Sequence, residues 1–280
     1  MNRGLWQDLH IKFFKSGSPA MLYIGINVLI FIVASLAGVF MAFAGQKGWV
    51  TLQIQEYFAF PAAISSLPYR FYTIFTYQFF HADFFHILFN MLWLYWIGQI
   101  FLSFLKPRQF HFVYIGGGIL GALIFLLLFQ VIPAFSNESA TLIGSSACVM
   151  AILSATATLV PDYSIRLMLF GELKLKYLVL AYILLDIFGT AGTNAGGSIA
   201  HLGGALFGFL YIKLLQSGMD WSSLFKPKPK MKVVKNDTPK RNESSVNQKE
   251  IDSVLDKISK SGYDQLSKEE KEILFRASKS

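Results

Sequence analysis

Eight polar residues interrupt stretches that are otherwise strongly apolar: His81, Asp83, His86, Asn90, Ser145, Ser146, Asp186 and His201. A serine hydroxyl becomes a competent nucleophile when a base takes its proton, and near neutral pH the usual base is histidine. The tetrahedral intermediate that follows needs hydrogen-bond donors for its oxyanion. His86 and Asn90 stand i, i+4 and share one helix face. Ser146 lies two residues after Gly144, at the start of an apolar run. A helix N-terminus there supplies unpaired backbone N–H groups and the positive end of the dipole. The Ser146 backbone N–H, the Asn90 amide and His86 are then candidate oxyanion donors, and the set as a whole is suited to acyl transfer.

Other chemistries fit less well. His81 and His86 are five residues apart, which splays them around a helix, and no carboxylate completes a metal set; His-Glu-x-x-His is absent. Neither a metal nor a cofactor is expected. Cys148 is two residues from Ser146 and faces elsewhere on a helix, so it is read as packing. A single cysteine also excludes a disulfide framework and a Cys-based zinc site. Asp186 is open between two roles, orienting a histidine or capping loop groups. Gly117-x3-Gly121 and Gly204-x3-Gly208 have the spacing of small-residue helix contacts.

The elements that hold these residues are membrane helices. The chain of 280 residues is 54% hydrophobic and 15% charged, against roughly 25% charged in soluble domains. Crossing a bilayer takes about 20 apolar residues. Six runs qualify: 21–44, 84–105, 110–133, 143–160, 173–189 and 198–216. The first is too long for a signal-peptide core and is expected to be retained. In the fifth, Lys174 and Lys176 must snorkel from the first turn.

Basic residues orient the set. With the N-terminus inside, nine fall on inner segments (Arg3, Lys12, Lys15, Lys106, Arg108, Arg166, Lys174, Lys176 and Lys213), against Lys47 and Arg70 outside. The net charge of +8 therefore reports membrane topology, and no nucleic-acid partner is expected. The second, fourth and sixth spans then run from outside to inside. Their outer ends bring His86, Asn90, Ser146 and His201 to similar depth, with His201 in the first turn of the sixth. The first outer loop, 45–83, is too aromatic to be free in water and is broken at Pro61 and Pro68, so short interfacial helices are expected.

Four segments follow: a cytoplasmic N-terminal segment 1–20, a six-helix membrane domain 21–216, a basic linker 217–247 and a cytoplasmic helical hairpin 248–280. The linker is Pro/Lys/Asn/Ser-rich and expected to be disordered; its lysines either mark the inner face or contact anionic lipid. In the hairpin, Ile251, Val254, Leu255 and Ile258 share one helix face, Gly262 ends it, and Ser267 with Glu270 forms a capping box.

Three motifs in order resemble the rhomboid family of intramembrane serine proteases, over roughly residues 20–216. His81-x4-His86-x3-Asn90 is similar to its second-helix signature. Gly144-Ser145-Ser146-Ala147 resembles Gly-x-Ser-Gly. Ala200-His201-x2-Gly204-x3-Gly208 resembles its sixth-helix signature. Pro68-Tyr69-Arg70 is similar to the Trp-Arg element of its first loop. The resemblance implies an all-α polytopic bundle with a Ser146–His201 dyad, no essential aspartate, and an oxyanion hole helped by His86 and Asn90. It implies substrates that are transmembrane proteins, cut at or near the outer end of their span. Two positions depart from the pattern: Ala147 replaces a glycine, and Met150 stands where an aromatic often packs on the histidine.

Two alternatives compete. A catalytically inactive relative would bind membrane clients. A six-span transporter would need polar residues at the midplane or broken helices, whereas those here cluster at one end. With no organelle-targeting segment evident, a bacterial cell membrane is the expected location.

Overall fold

The computed structural model describes residues 11–135, 140–167, 171–225 and 248–278. Two units separate, Met1–Lys226 and Pro227–Ser280. The first is built from α1 (Pro19–Phe43), α2 (Trp49–Tyr57), α3 (Phe84–Phe104), α4 (Pro107–Val131), α5 (Ser146–Leu159), α6 (Leu175–Gly189) and α7 (Ala195–Gln216). Four of these, α1, α3, α4 and α7, are long and apolar enough to cross a membrane. The fourth and fifth expected spans are shorter helices of 14 and 15 residues.

Local chemistry explains the differing ends. Apolar content extends the fourth run to residue 143. There, Thr141–Leu142 (β2) pairs antiparallel with Phe60–Pro61 (β1), and Gly144 adopts φ +119°, so the helix begins only at Ser146. The start of the fifth run is occupied by a hairpin, β3 (Ser164–Leu167) with β4 (Gly171–Lys174). Lys174 and Lys176 do more than snorkel, because both reach Asp162, at 3.0 and 2.7 Å. Their hydrogen bonds, that of Lys176 first, hold the Asp162 carboxyl below the usual carboxylate range. α4 starts at Pro107, where a missing N–H costs nothing, and the Gln109 side chain accepts the Lys106 N–H at 2.8 Å. α7 starts at Ala195 rather than 198, which puts His201 in its second turn instead of its first. Hydropathy discounts Gly196 and Gly197, although both are helical.

α5 is the centre of the unit. It packs on α3, α4, α6 and α7, and every residue from Ala147 to Ala157 is buried. A helix apolar on all sides belongs in a protein core or in lipid, and α5 is enclosed by protein. Small residues make the enclosure tight. A Cβ at Gly204 or Gly208 of α7 would lie 2.1 Å from the carbonyl oxygen of Ala147 or Ala151. A Cβ at Gly117 of α4 would lie 2.2 Å from the Ala151 Cβ. The glycine spacings are thus close backbone contacts of α7 and α4 on α5.

The outer loop braces the entry to α5. It runs as α2 and single helical turns over 64–66, 67–70, 73–76 and 77–79. Arg70 Nη2 donates to the carbonyls of Gln55 and Ala59, both at 2.8 Å. The Gly144 N–H donates to Tyr77 O at 2.9 Å, and Tyr77 itself is anchored by its hydroxyl on Gly118 O at 2.7 Å. At the opposite end of the bundle, residues 217–225 fold back instead of starting a linker. Arg108 pairs with Asp220 at 2.7 Å and donates to Ser222 Oγ at 3.0 Å, so the ordered unit extends beyond Gln216. The rest of the expected linker, 226–247, lies outside the described residues.

The second unit is a helical hairpin, α8 (Gln248–Ser261) and α9 (Lys268–Ala277). Val254 and Leu266 form its small core, while Leu255 is half-exposed. Gly262 turns the chain at φ +80°, Ser267 and Glu270 cap each other reciprocally, and Lys257 bonds Glu270 at 2.8 Å.

The glycine contacts yield a direct test. Gly208→Val forces atoms into the Ala151 carbonyl and should destabilise the bundle by about 1–3 kcal/mol, the usual cost of overpacking. Gly38→Ala in α1 has open space around its Cβ and should be neutral or slightly stabilising. Thermal unfolding of both variants in one detergent compares them.

Candidate active site

The N-terminal ends of α3, α5 and α7 meet at a cavity of about 710 Å³. Ser146, His201, Asn90, His86 and Met150 all line it, so the structure brings together the candidates from three separate helices. Apolar walls come from Phe85, Phe89 and Trp93 of α3 and Tyr182 of α6; sequence reasoning singles out none of the four. Trp93 and Tyr182 meet edge to face, with centroids 5.6 Å apart, and connect α3 to α6 across the cavity.

Each polar residue has a defined setting. Ser146 is the first residue of α5 and half-buried, open to the cavity. The first intrahelical bond runs from Val149 N–H to Ser145 O at 3.0 Å. The N–H groups of Ser146, Ala147 and Cys148 therefore have no acceptor within the helix. Ser145 is fully buried and its Oγ lies 3.2 Å from His81 Nε2, turned away from the cavity. The sequence pattern gives no sign of this second Ser–His pair. Cys148 packs beneath, its Sγ bonded to Gln78 Oε1 at 2.9 Å, in agreement with a packing role.

On α3, Asp83 caps the helix by accepting the His86 N–H at 2.9 Å. The His86 ring lies against Gly144, where a Cβ would come within 2.6 Å of its Nε2. Both this clearance and the φ of +119° require glycine at 144. Asn90 donates one N–H of its amide to His86 O at 2.9 Å, which fixes the side chain and leaves the second N–H of the amide for the cavity. Met150 is buried in the cavity floor. Ala147 is buried between α4 and α7: its Cβ would meet a Cβ at Gly121 at 2.9 Å, and its carbonyl faces Gly204.

His201 is held through Nδ1, 2.9 Å from Asp186 Oδ1. The aspartate side chain therefore reaches the histidine ring. A carboxylate one turn before the end of one helix and a histidine two turns into the next, across a five-residue turn, was the available signal. No hydrogen bond joins Ser146 to His201 among the described residues; catalytic contacts are often open in unliganded sites.

The fold and site define a helical membrane protein with a serine, two histidines and an asparagine at one cavity between helix ends. A family model described as the Rhomboid domain matches residues 68–217, more than half of the chain. The chain belongs to the rhomboid family. A second model, of a family of unknown function, matches residues 240–280. Presenilin-associated rhomboid-like protein A, mitochondrial, of Danio rerio is 28% identical over 138 residues, covering 48% of this chain and 35% of that protein. Presenilin-associated rhomboid-like protein, mitochondrial, of Bos taurus is 28% identical over 146 residues, covering 47% and 35%. The chain thus spans about a third of the length of these relatives.

The two adjacent serines can be told apart. Ser146→Ala should abolish labelling by a fluorophosphonate probe. Ser145→Ala should still label, while losing about 1 kcal/mol of stability because His81 loses its side-chain partner. Labelling by gel fluorescence, read with thermal unfolding, distinguishes them; the reverse pattern would assign the nucleophile to Ser145.

Proposed function

We propose that the protein is an intramembrane serine endopeptidase that cuts transmembrane proteins at or near the outer end of their span. The observation that carries this reading is the convergence of Ser146, His201 and Asn90 on one cavity at the N-terminus of a buried helix. Membership of the rhomboid family supports the same kind of activity. No cofactor takes part.

The chemistry follows from the atoms. His201 Nε2 takes the Ser146 hydroxyl proton as Oγ bonds to the scissile carbonyl carbon and the carbonyl π pair moves onto oxygen. The oxyanion is met by the Ser146 backbone N–H, the free N–H of Asn90 and the His86 ring, with the α5 dipole behind them. Collapse breaks the C–N bond, and the proton on Nε2 passes to the leaving amine. Water then attacks the acyl-enzyme by the same route. A peptide bond must leave helical pairing to reach the serine, so substrates should carry small or helix-breaking residues at the cut.

In this reading six helices cross the bilayer and both termini face the cytoplasm. The lysines of the basic linker are read as contacts for anionic lipid. The mitochondrial location in the relatives' names belongs to those proteins, and a bacterial cell membrane gains no support from them. A competing reading, an inactive rhomboid-like protein that binds membrane clients, draws on the open Ser146–His201 contact. Fluorophosphonate labelling of the full chain in detergent decides: labelling lost in Ser146→Ala supports the hydrolase, and none in the wild type rejects it.

Two variants grade the roles. His201→Ala should be as severe as loss of the serine, because nucleophile and base act as a unit. Asn90→Ala should lower kcat by about 10²–10³, since backbone donors remain. Cleavage of a single-span substrate at matched folding measures both, and full activity in Asn90→Ala would remove it from the oxyanion hole. Truncation after Phe225 should leave kcat/KM within about threefold, because the tail is a separate unit.

A further inference from the structure

Asp186 has a setting that a purely structural role does not explain. It is the only buried residue in the last two turns of α6, at 7% exposure. Its Oδ1 is 2.9 Å from His201 Nδ1, and its Oδ2 is buried with no hydrogen-bond partner among the described residues. The position is also near the C-terminal end of the helix, where the dipole disfavours an anion. Burying a carboxylate with half of its acceptor capacity unmet is costly. A neutral asparagine or serine would join α6 to α7 at lower cost. What a carboxylate does and a neutral side chain does not is accept a proton-bearing Nδ1 and stabilise positive charge on the ring.

We infer that Asp186 is a positioning residue that fixes His201 with its proton on Nδ1 and its Nε2 lone pair toward Ser146, so that the site operates as Ser–His–Asp. The inference rests on the hydrolase reading of the same cavity. The tautomer of a histidine is set by the hydrogen bond at its other nitrogen. With Nδ1–H donated to Asp186, Nε2 is the nitrogen left to receive the hydroxyl proton. When it does, the ring carries a positive charge 2.9 Å from the carboxylate oxygen. The Nδ1 proton stays on Nδ1 throughout, and only the Nε2 proton moves, from Ser146 to the leaving amine. Holding the ring this way needs no stacked aromatic, and the residue one turn after Ser146 is Met150. The amide introduced by Asp186→Asn, by contrast, can donate to Nδ1, placing the ring proton on Nε2, where it blocks the serine.

The test uses the full chain in detergent, with Asp186→Asn, Asp186→Glu, Ser146→Ala and His201→Ala, at matched thermal unfolding. Asp186→Asn should slow fluorophosphonate labelling and lower kcat on a single-span substrate by on the order of 10²–10⁴, with KM little changed. Asp186→Glu should recover part of the rate. Ring ¹⁵N shifts of histidine-labelled protein, assigned by the signal missing in His201→Ala, should show Nδ1–H in the wild type and Nε2–H in Asp186→Asn. Wild-type labelling and tautomer in Asp186→Asn would overturn the inference and leave the hydrolase reading standing. A fall in unfolding temperature or a rise in KM alone would also overturn it, since it marks a helix staple. A wild type that neither labels nor cleaves would reject the hydrolase reading itself, and the inference with it.

Discussion

The arrangement depends on α5 being short and buried on every side. At about 1.5 Å per residue its 14 residues span about 21 Å, against roughly 30 Å of hydrocarbon. Exposed to lipid, such a helix would leave end groups unpaired in a medium that cannot bond them. Enclosed by α3, α4, α6 and α7, it is shielded from that medium. Ser146, at its first position, then opens into a cavity instead of into lipid. The helix is positioned by contact, because Gly204 and Gly208 bring the α7 backbone directly onto its carbonyls. The glycine spacings and the serine therefore belong to one device: the first sets where the second can stand.

The outer segments fix which residue occupies that first turn. Residues 141–144 are held by the β1–β2 pair and by the bond from Gly144 to Tyr77. A shift of one residue would put a side chain at 144 into the His86 ring and turn Ser145 away from His81. The start of α5 and the placement of the α3 donors are thus coupled through a single glycine. Arg70 serves the same end at longer range, pinning the loop that carries β1.

Much of this was legible in the sequence because membrane burial makes polar residues conspicuous. Ser146, His201, Asn90 and His86 stand out against apolar runs, and alternating helix direction puts them at one depth. Helix ends are less legible. Hydropathy extends a run through Ile143 and Leu173, since strand and helix are equally apolar; a positive φ at Gly144 and the pairing of residues 164–174 decide those ends. It also stops short across Gly196 and Gly197, which shifts His201 by a turn. Pairings between elements are less legible for another reason. The bonds from His81 to Ser145 and from Asp186 to His201 depend on how helices rotate against each other, which composition and periodicity along one helix do not specify.

The departure at Ala147 shows how the same packing shelters the chemistry. An added methyl beside Ser146 needs room, and it finds it at Gly121 of α4, where a second Cβ would come within 2.9 Å. The two positions face each other on different helices, and a Cβ at Gly121 would also meet the Ala200 carbonyl at 2.7 Å. The Ala147 carbonyl still faces Gly204, and its N–H remains in the first turn of α5 with no intrahelical acceptor. Backbone donors of this kind depend on where the helix lies and only weakly on which side chains it carries. The position of the first turn of α5 is therefore a property of packing, preserved as long as the volumes on α4, α5 and α7 sum to the same close approach.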